Sequence, residues 1–286
     1  MRRKRMYTIV IVLLLLLVVL LRIYIDNEIP KVSNVEIKSP KLPEVFDGYK
    51  IVQLSDLHSK SFGNNNEMLI DMIDKESPNI IVMTGDMVTA NEKDFTVFYS
   101  LVKELTKKYR VYYVYGNHEG ELSLKLKSEI TAFLKENGVI VLDNDYISIE
   151  KNNEKINLYG LCYTQKYYSY KGGKKHIITE NYIKNKLGTI DKNKYNILLT
   201  HNPLFFDAYS GYGFDLTLSG HVHGGLIRLP FIGGILSPER KFFPQYSAGV
   251  YEKGNSKLVV SRGLSRGTKG FRFFNRPDVV SITLKK

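Results

Sequence analysis

Five times along this chain a short apolar run stops at a block of glycine, aspartate, asparagine or histidine. Residues 51–54 lead into Asp56-Leu57-His58, and 80–84 into Gly85-Asp86-Met87-Val88. Residues 111–115 lead into Gly116-Asn117-His118-Glu119, and 197–200 into His201-Asn202-Pro203. Residues 216–219 lead into Gly220-His221-Val222-His223-Gly224-Gly225. Apolar runs of this length bounded by turn formers read as buried strands. A chain that repeats the arrangement brings polar groups to the ends of a rigid sheet, where they face a crevice.

Between these runs the apolar residues recur at helical spacing. Leu69, Met72 and Ile73 form one such face, after a capping-box-like Asn64 and Glu67. Phe98, Leu101, Val102, Leu105 and Tyr109 form a second. Leu126, Ile130, Phe133 and Leu134 form a third, closed by Asn137-Gly138 as a C-cap. After residue 144 strands dominate, with a hairpin expected around Asn152-Asn153 and later strands near 195–200, 214–218, 257–261 and 279–284. The pattern predicts an α/β sandwich of two packed sheets flanked by helices.

The polar blocks carry the chemistry. At strand spacing, residues i and i+2 point the same way, so Asp56-x-His58 and His221-x-His223 would each offer two ligands from one strand end. Imidazole with carboxylate oxygen suits Zn²⁺, Mn²⁺ or Fe, and a single cysteine excludes a thiolate cluster. That residue, Cys162, lies in an apolar stretch and reads as a small buried hydrophobe. Each block alone is a weak signal, but five in succession are not expected by chance. His176, outside every block, reads as a surface residue.

The N-terminus sets the organisation. Arg2-Arg3-Lys4-Arg5 precedes an apolar run over residues 6–25, about the length a helix needs to cross a hydrocarbon core. The reading divides the chain into a basic tip (1–5), a transmembrane anchor (6–25), an extended lead-in (26–47) and one catalytic domain (48–286). A cleavable signal peptide is the competing reading, but no small-x-small cleavage site follows the apolar run. The basic tip should stay cytoplasmic, leaving residues 26–286 outside. The formal charge is +12. Without the anchor's five cations, 36 basic and 29 acidic residues remain. That excess suits an anionic ligand or membrane surface and is too diffuse for nucleic acid.

In this order the blocks resemble the calcineurin-like metallophosphoesterase superfamily, whose signature runs D-x-H, G-D, G-N-H-[DE], H and G-H-x-H. The resemblance covers about residues 48–285 and implies the metallophosphatase fold and two divalent ions, Mn, Fe or Zn. It implies that Asp56, His58, Asp86 and His223 hold one ion. Asp86, Asn117, His201 and His221 would hold the other, with Asp86 bridging. His118 would contact the phosphate and protonate the leaving oxygen. Two carboxylates against two divalent ions leave about +2, which attracts phosphate anions. A water shared by such ions becomes a nucleophile near neutral pH.

Gly220 to Pro230, Ser261-Arg262-Gly263-Leu264-Ser265 and Arg272 to Asp278 resemble the bacterial membrane-associated YkuE/YaeI-like phosphodiesterases. That branch is related to the pyrophosphatases acting on UDP-2,3-diacylglucosamine. Leu226 departs from it, standing where glutamine is expected. The resemblance implies hydrolysis of a phosphodiester or pyrophosphate, in a lipid-linked or envelope precursor. Arg262, Arg266, Arg272 and Arg276 are candidate phosphate contacts, of which 262, 272 and 276 are the stronger. Apolar segments 231–236 and 242–244 could meet lipid, and Tyr167, Tyr168, Tyr170, Lys171, Lys174 and Lys175 could rest on anionic headgroups. No protein partner is expected. The alternatives are a phosphomonoesterase or protein phosphatase and, retaining the least support, a non-catalytic metal-binding module.

Overall fold

The computed structural model describes residues 2–168, 176–225, 227–229, 232–236, 242–266 and 272–286. Tyr170, Lys171, Lys174, Lys175, Leu226 and Phe231 lie outside the described residues. The chain opens with helix α1 (Arg2–Glu28), about 40 Å long at 1.5 Å per residue. Its apolar side chains are exposed from Met6 to Leu21, uncovered by the described residues of the body. This helix is apolar and long enough to cross a membrane, or to act as a signal sequence. Its last turn behaves differently, because Asp26 and Asn27 are buried against the body of the protein.

Two six-stranded sheets follow. The first holds, in spatial order, β1 (Lys31–Lys38), β14 (Asp278–Lys285), β2 (Lys50–Leu54), β3 (Ile80–Met83), β4 (Arg110–Tyr113) and β5 (Ile140–Val141). Strands β2 to β5 run parallel. Helices α2 (Glu67–Glu76), α3 (Thr96–Thr106), α4 (Asn117–Glu121) and α5 (Leu124–Glu136) lie in the connections. The second sheet holds β12 (Gly249–Lys253), β13 (Ser256–Val260), β9 (Leu216–Ser219), β8 (Tyr195–Thr200), β7 (Glu154–Leu161) and β6 (Asp145–Lys151). Here β13, β9, β8 and β7 are parallel. Helices α6 (Glu180–Leu187) and α7 (Phe206–Tyr212) cover its outer face. A separate hairpin pairs β10 (Ile227–Leu229) with β11 (Gly233–Leu236).

The two-residue period of a strand sorts the core into layers. Along β8, Ile197 and Leu199 face the central core with Ile51, Ile81 and Val111, while Leu198 turns outward to Phe206 and Tyr209. Along β13, Val259 faces inward while Leu258 and Val260 face outward. One polar link crosses the central layer: Gln53 Nε2 donates to Ser219 O at 2.9 Å and to Thr84 Oγ1 at 3.0 Å. The expected mixed α/β sandwich is the fold observed.

The details differ in places. The lead-in is not merely a tether: β1 pairs in parallel with β14 at the edge of the first sheet. Its partner strand is the last in the chain, so nothing local in the sequence announces it. Helix α2 does not use the expected cap. Asn64–Asn66 forms a 3₁₀ turn, and Asn66 Oδ1 accepts the N–H of Phe62 instead. The hairpin around Asn152-Asn153 forms as expected, with both asparagines left-handed (φ 51° and 65°), as a type I′ turn demands. Cys162 is buried, and burial pushes its thiol up to about 12, which leaves it unreactive.

Candidate metal centre

The parallel strands of both sheets bring their carboxyl ends together, and the polar blocks meet there. Asp56 and His58 follow β2, Asp86 follows β3, Asn117 and His118 open α4, His201 follows β8, and His221 and His223 follow β9. Three overlapping groups result, each with its ligand atoms within 4.8 Å of one another: Asp56–His58–His223, His58–Asp86–His118 and Asp86–His201–His221. Asp86 belongs to two of them.

The expected geometry of the paired ligands needs correction. Asp56, His58, His221 and His223 are not strand residues sharing a face. Each has left-handed backbone, with φ of 52°, 46°, 72° and 52°, and Asp86 joins them at 53°. A non-glycine residue in that region costs on the order of 1–2 kcal/mol. Five such residues at one site show a loop framework that holds its side chains against local preference. The framework is visible: Asp56 N–H donates to Gly85 O, His58 N–H to Asp86 O and Ser265 N–H to Asp56 O, at 3.0, 3.1 and 2.8 Å. Two glycines make room. A Cβ on Gly116 would overlap the Asp86 carboxylate, and one on Gly220 would overlap Ser55 and Asp56. His221 and His223 fall in different groups, the division that the resemblance implies.

Asp86 is the electrostatic hub. Its Oδ1 accepts the N–H of His118 at 2.8 Å. Its Oδ2 faces the Nε2 atoms of His201, His58 and His118, at 3.1, 3.9 and 3.9 Å. Burial opposes ionisation of Asp86, but His201 and the other imidazoles outweigh it and hold the carboxyl well below the usual range. For His201 burial likewise opposes the charge, and Asp86 together with Asp56 raises it to about 10. Burial wins at His58, pushed down to about 3.

Orphaned atoms test whether a cation fits. His58 Nδ1 and Nε2 and Asn117 Oδ1 are buried without a hydrogen-bond partner, a costly state for polar atoms that a coordinated ion would relieve. The donor set of imidazole nitrogen and carboxylate oxygen suits a borderline divalent metal. The residues fit the metal that the resemblance implies.

Backbone contacts divide the histidines by role. His201 Nδ1 donates to Thr84 O at 2.7 Å, and His223 Nδ1 to Ser265 O at 3.1 Å. A carbonyl can only accept, so these rings turn Nε2 toward the cluster as a ligand. His118 is reversed: its Nδ1 accepts the N–H of Ala90 at 3.0 Å. The proton of that ring is therefore on Nε2, the atom facing the cluster.

Several residues beyond the expected set matter. Glu119 is buried, and its carboxylate accepts the N–H of Asp86, Met87 and Gly116 at 2.9, 2.7 and 2.8 Å. It thus ties the Asp86 loop to the start of α4. Tyr168 places its ring 5.2 Å from His221 and 5.9 Å from His201, so it packs on the site. Tyr167 packs against Tyr182 and Phe205. His176 is exposed, as expected. Asn275 Nδ2 donates to the carbonyls of His223 and Gly225, both at 2.7 Å. The contacts of Tyr168 and Asn275 do not follow from local sequence pattern, whereas Glu119 stands inside the Gly-Asn-His-Glu block.

Two of the three stronger arginine candidates are occupied elsewhere. Arg272 is 2% exposed. Its guanidinium donates to the carbonyls of Arg262 (2.7 Å), Gly263 (3.2 Å), Asn275 (3.2 Å) and Ser265. Arg276 donates to Ile29 O and Pro30 O, at 3.0 and 2.7 Å. Both act as loop staples rather than displayed phosphate contacts. Arg262 lines an open cleft.

A metal-binding cluster of this kind, at the strand ends of a two-sheet α/β sandwich, defines a metal-dependent phosphoesterase. Residues 49–225 match the calcineurin-like phosphoesterase family, to which the chain belongs. It is similar to the uncharacterized metallophosphoesterase YkuE of Bacillus subtilis (strain 168), 29% identical over 92% of this chain and 88% of that one. An uncharacterized metallophosphoesterase of Aquifex aeolicus (strain VF5) is 30% identical over 92% and 94%. The phosphodiesterase YaeI of Escherichia coli (strain K12) is 26% identical over 82% of each chain.

Proposed function

We propose that this chain is a membrane-anchored hydrolase of phosphodiester or pyrophosphate bonds in a lipid or cell-envelope precursor. In this reading its catalytic domain lies outside the membrane and its basic tip in the cytoplasm. The observation that carries the chemistry is the opposed hydrogen bonding of His118 and the ligand histidines around Asp86. Asp56, His58, Asp86 and His223 would hold one divalent ion, and Asp86, Asn117, His201 and His221 a second. When bound, the ions supply Lewis-acid charge and a water of lowered pKa. Asp86 Oδ2 faces the Nε2 atoms of His201 and His58, one from each group, while Oδ1 accepts the His118 N–H. His118 points its Nε2–H at the cluster, where it would hydrogen-bond the phosphate and the departing oxygen. Arg262, in the cleft beside the His223 loop, would orient a phosphate.

Three features support the substrate class. Helix α1 has the length and composition of a membrane span. Its buried last turn holds the domain close to that span. A relative is named a phosphodiesterase. The test is hydrolysis of bis-p-nitrophenyl phosphate against p-nitrophenyl phosphate by metal-loaded protein. Diester preference is expected, and a clear preference for the monoester would refute the diesterase reading.

A further inference from the structure

An open cleft of about 590 Å³ lies beside the metal centre, between the β10–β11 hairpin and Arg262. It shares a wall with the His223 loop: Arg228 Nη1 donates to Gly224 O at 2.7 Å, and a Cβ on Gly224 would touch the Arg262 stem. Its floor is cationic. Burial and the charges of Arg262, Arg276 and Arg228 hold the Lys31 ammonium below its usual range, with Asp278 the opposing carboxylate. Arg262 stands 3.9 Å from Asp278, whose carboxylate also accepts the Ser33 hydroxyl. The Arg228 contacts are neutral ones, Gly224 O and Ser247 Oγ. Arg228 and Arg262 line the cleft, two positive charges against the one carboxylate of Asp278.

The rim has the opposite character. Ile232, Phe242 and Phe243 are 61%, 72% and 66% exposed, and Phe274 completes the wall. Contiguous exposed aromatic residues on a folded domain mark a contact surface. Phe274 fixes where that surface lies. Its ring is 4.4 Å from the Arg22 guanidinium of α1, and its N–H donates to Asp26. Arg22 lies in the last turn of the apolar run of α1, near enough to its end to reach the headgroup layer of a bilayer. The cleft therefore opens at the depth of that layer, cationic inside and aromatic outside.

We propose that this surface docks on the bilayer, with Ile232, Phe242 and Phe243 among the acyl chains and the Arg228–Arg262 floor holding one anionic lipid headgroup. The proposal rests on α1 crossing a membrane and extends the function above by specifying where an amphiphilic phosphoester enters. Cation and apolar rim address the two halves of one molecule, as on other anionic-lipid surfaces. The arrangement supplies lipid laterally to the metal centre, without extraction into water.

The chain has no tryptophan, so Phe243→Trp introduces a single tryptophan at the rim, excited selectively beyond the absorption of the tyrosines. The full-length variant is placed in bilayer discs of phosphatidylcholine with a minority of phosphatidylglycerol, one lipid or the other brominated on its acyl chains. Quenching by brominated phosphatidylcholine is expected, and stronger quenching per mole by brominated phosphatidylglycerol, roughly fivefold for each contributing arginine. Arg228→Gln and Arg262→Gln, made singly and each checked for an unchanged unfolding midpoint, should keep the first effect and reduce the second. Absence of quenching by either lipid would overturn the docking surface. Equal quenching per mole would overturn the headgroup site. Hydrolysis of bis-p-nitrophenyl phosphate in detergent needs neither lipid, so failure of the esterase reading is scored independently.

Discussion

The backbone N–H of Ala90 donates to Nδ1 of His118 across 3.0 Å, and this contact decides which ring nitrogen carries the proton. His118→Ala is expected to retain the bound metal and lower turnover by about 10²–10⁴. The deficit should grow as the leaving group becomes more basic, because a better leaving group has less need of a proton. Metal content and turnover on aryl and alkyl diesters check this. Unchanged turnover on the alkyl ester would remove His118 from the mechanism.

Glu119 makes a different prediction, because it reaches the site only through other residues. Its carboxylate gathers three main-chain N–H groups from the Asp86 and Gly116 loops, with Val88 N–H more distant at 3.4 Å. Burial and the nearby Asp86 charge raise its proton affinity, so these donors hold a charge the interior disfavours. Glu119→Gln turns an NH₂ group toward N–H donors. Metal affinity should fall by about 10–100-fold, the usual cost of losing a group that orients a ligand. Metal titration with unaltered affinity would show that the Asp86 loop holds itself.

Metal uptake should release protons. In the metal-free protein His201 is raised to about 10, from 6.5 for the free side chain. A raised folded value stabilises the fold fully below pH 6.5, and that contribution is lost as pH climbs toward 10. A metal must displace the same proton, so apparent affinity should rise by up to about tenfold per pH unit below 10. His58, pushed down to about 3, has no proton to give at neutral pH. Calorimetry in buffers of different ionisation enthalpy counts the protons, and a count of zero near pH 7 would sink the assignment of His201.

These relationships also show what the sequence could and could not disclose. The sheets were legible because their strands are short apolar runs, and the ligand residues because they stand where those runs stop. The loop conformations were not. Aspartate and histidine have no strong left-handed preference, so φ of 52° at Asp56 or 72° at His221 is imposed by contacts from distant loops. The same holds for Arg272. Its guanidinium reads as a candidate phosphate contact, but the carbonyls of Arg262, Gly263 and Ser265 converge on it only once the loop has folded. Glu119 lay in plain view within its block, yet the three N–H groups that define its role come from loops brought together by the sheet.

The last turn of α1 supplies the final prediction. Asn27 pairs with the main chain of Arg272 at both ends: Nδ2 donates to Arg272 O and Oδ1 accepts Arg272 N–H, each at 3.1 Å. Beside it, Asp26 receives Arg22 in a bidentate pair at 2.7 and 2.8 Å. Arg272 in turn donates to Ser265 O, the carbonyl that also accepts Nδ1 of the ligand His223. The end of the apolar helix is therefore two residues removed from a metal ligand. Asn27→Ala leaves a buried N–H and a buried C=O without partners, at a cost of about 1–3 kcal/mol each. The unfolding midpoint should drop accordingly, and metal should be lost more readily as the Ser265 carbonyl loosens. By the same logic the mature protein should retain residues 22–28, since cleavage within the helix's last turn would discard built-in parts of the domain. Intact mass measured on protein from its native membrane checks the point. A mature chain beginning after Glu28, with full metal content and unchanged stability, would show that the helix end contributes nothing to the site.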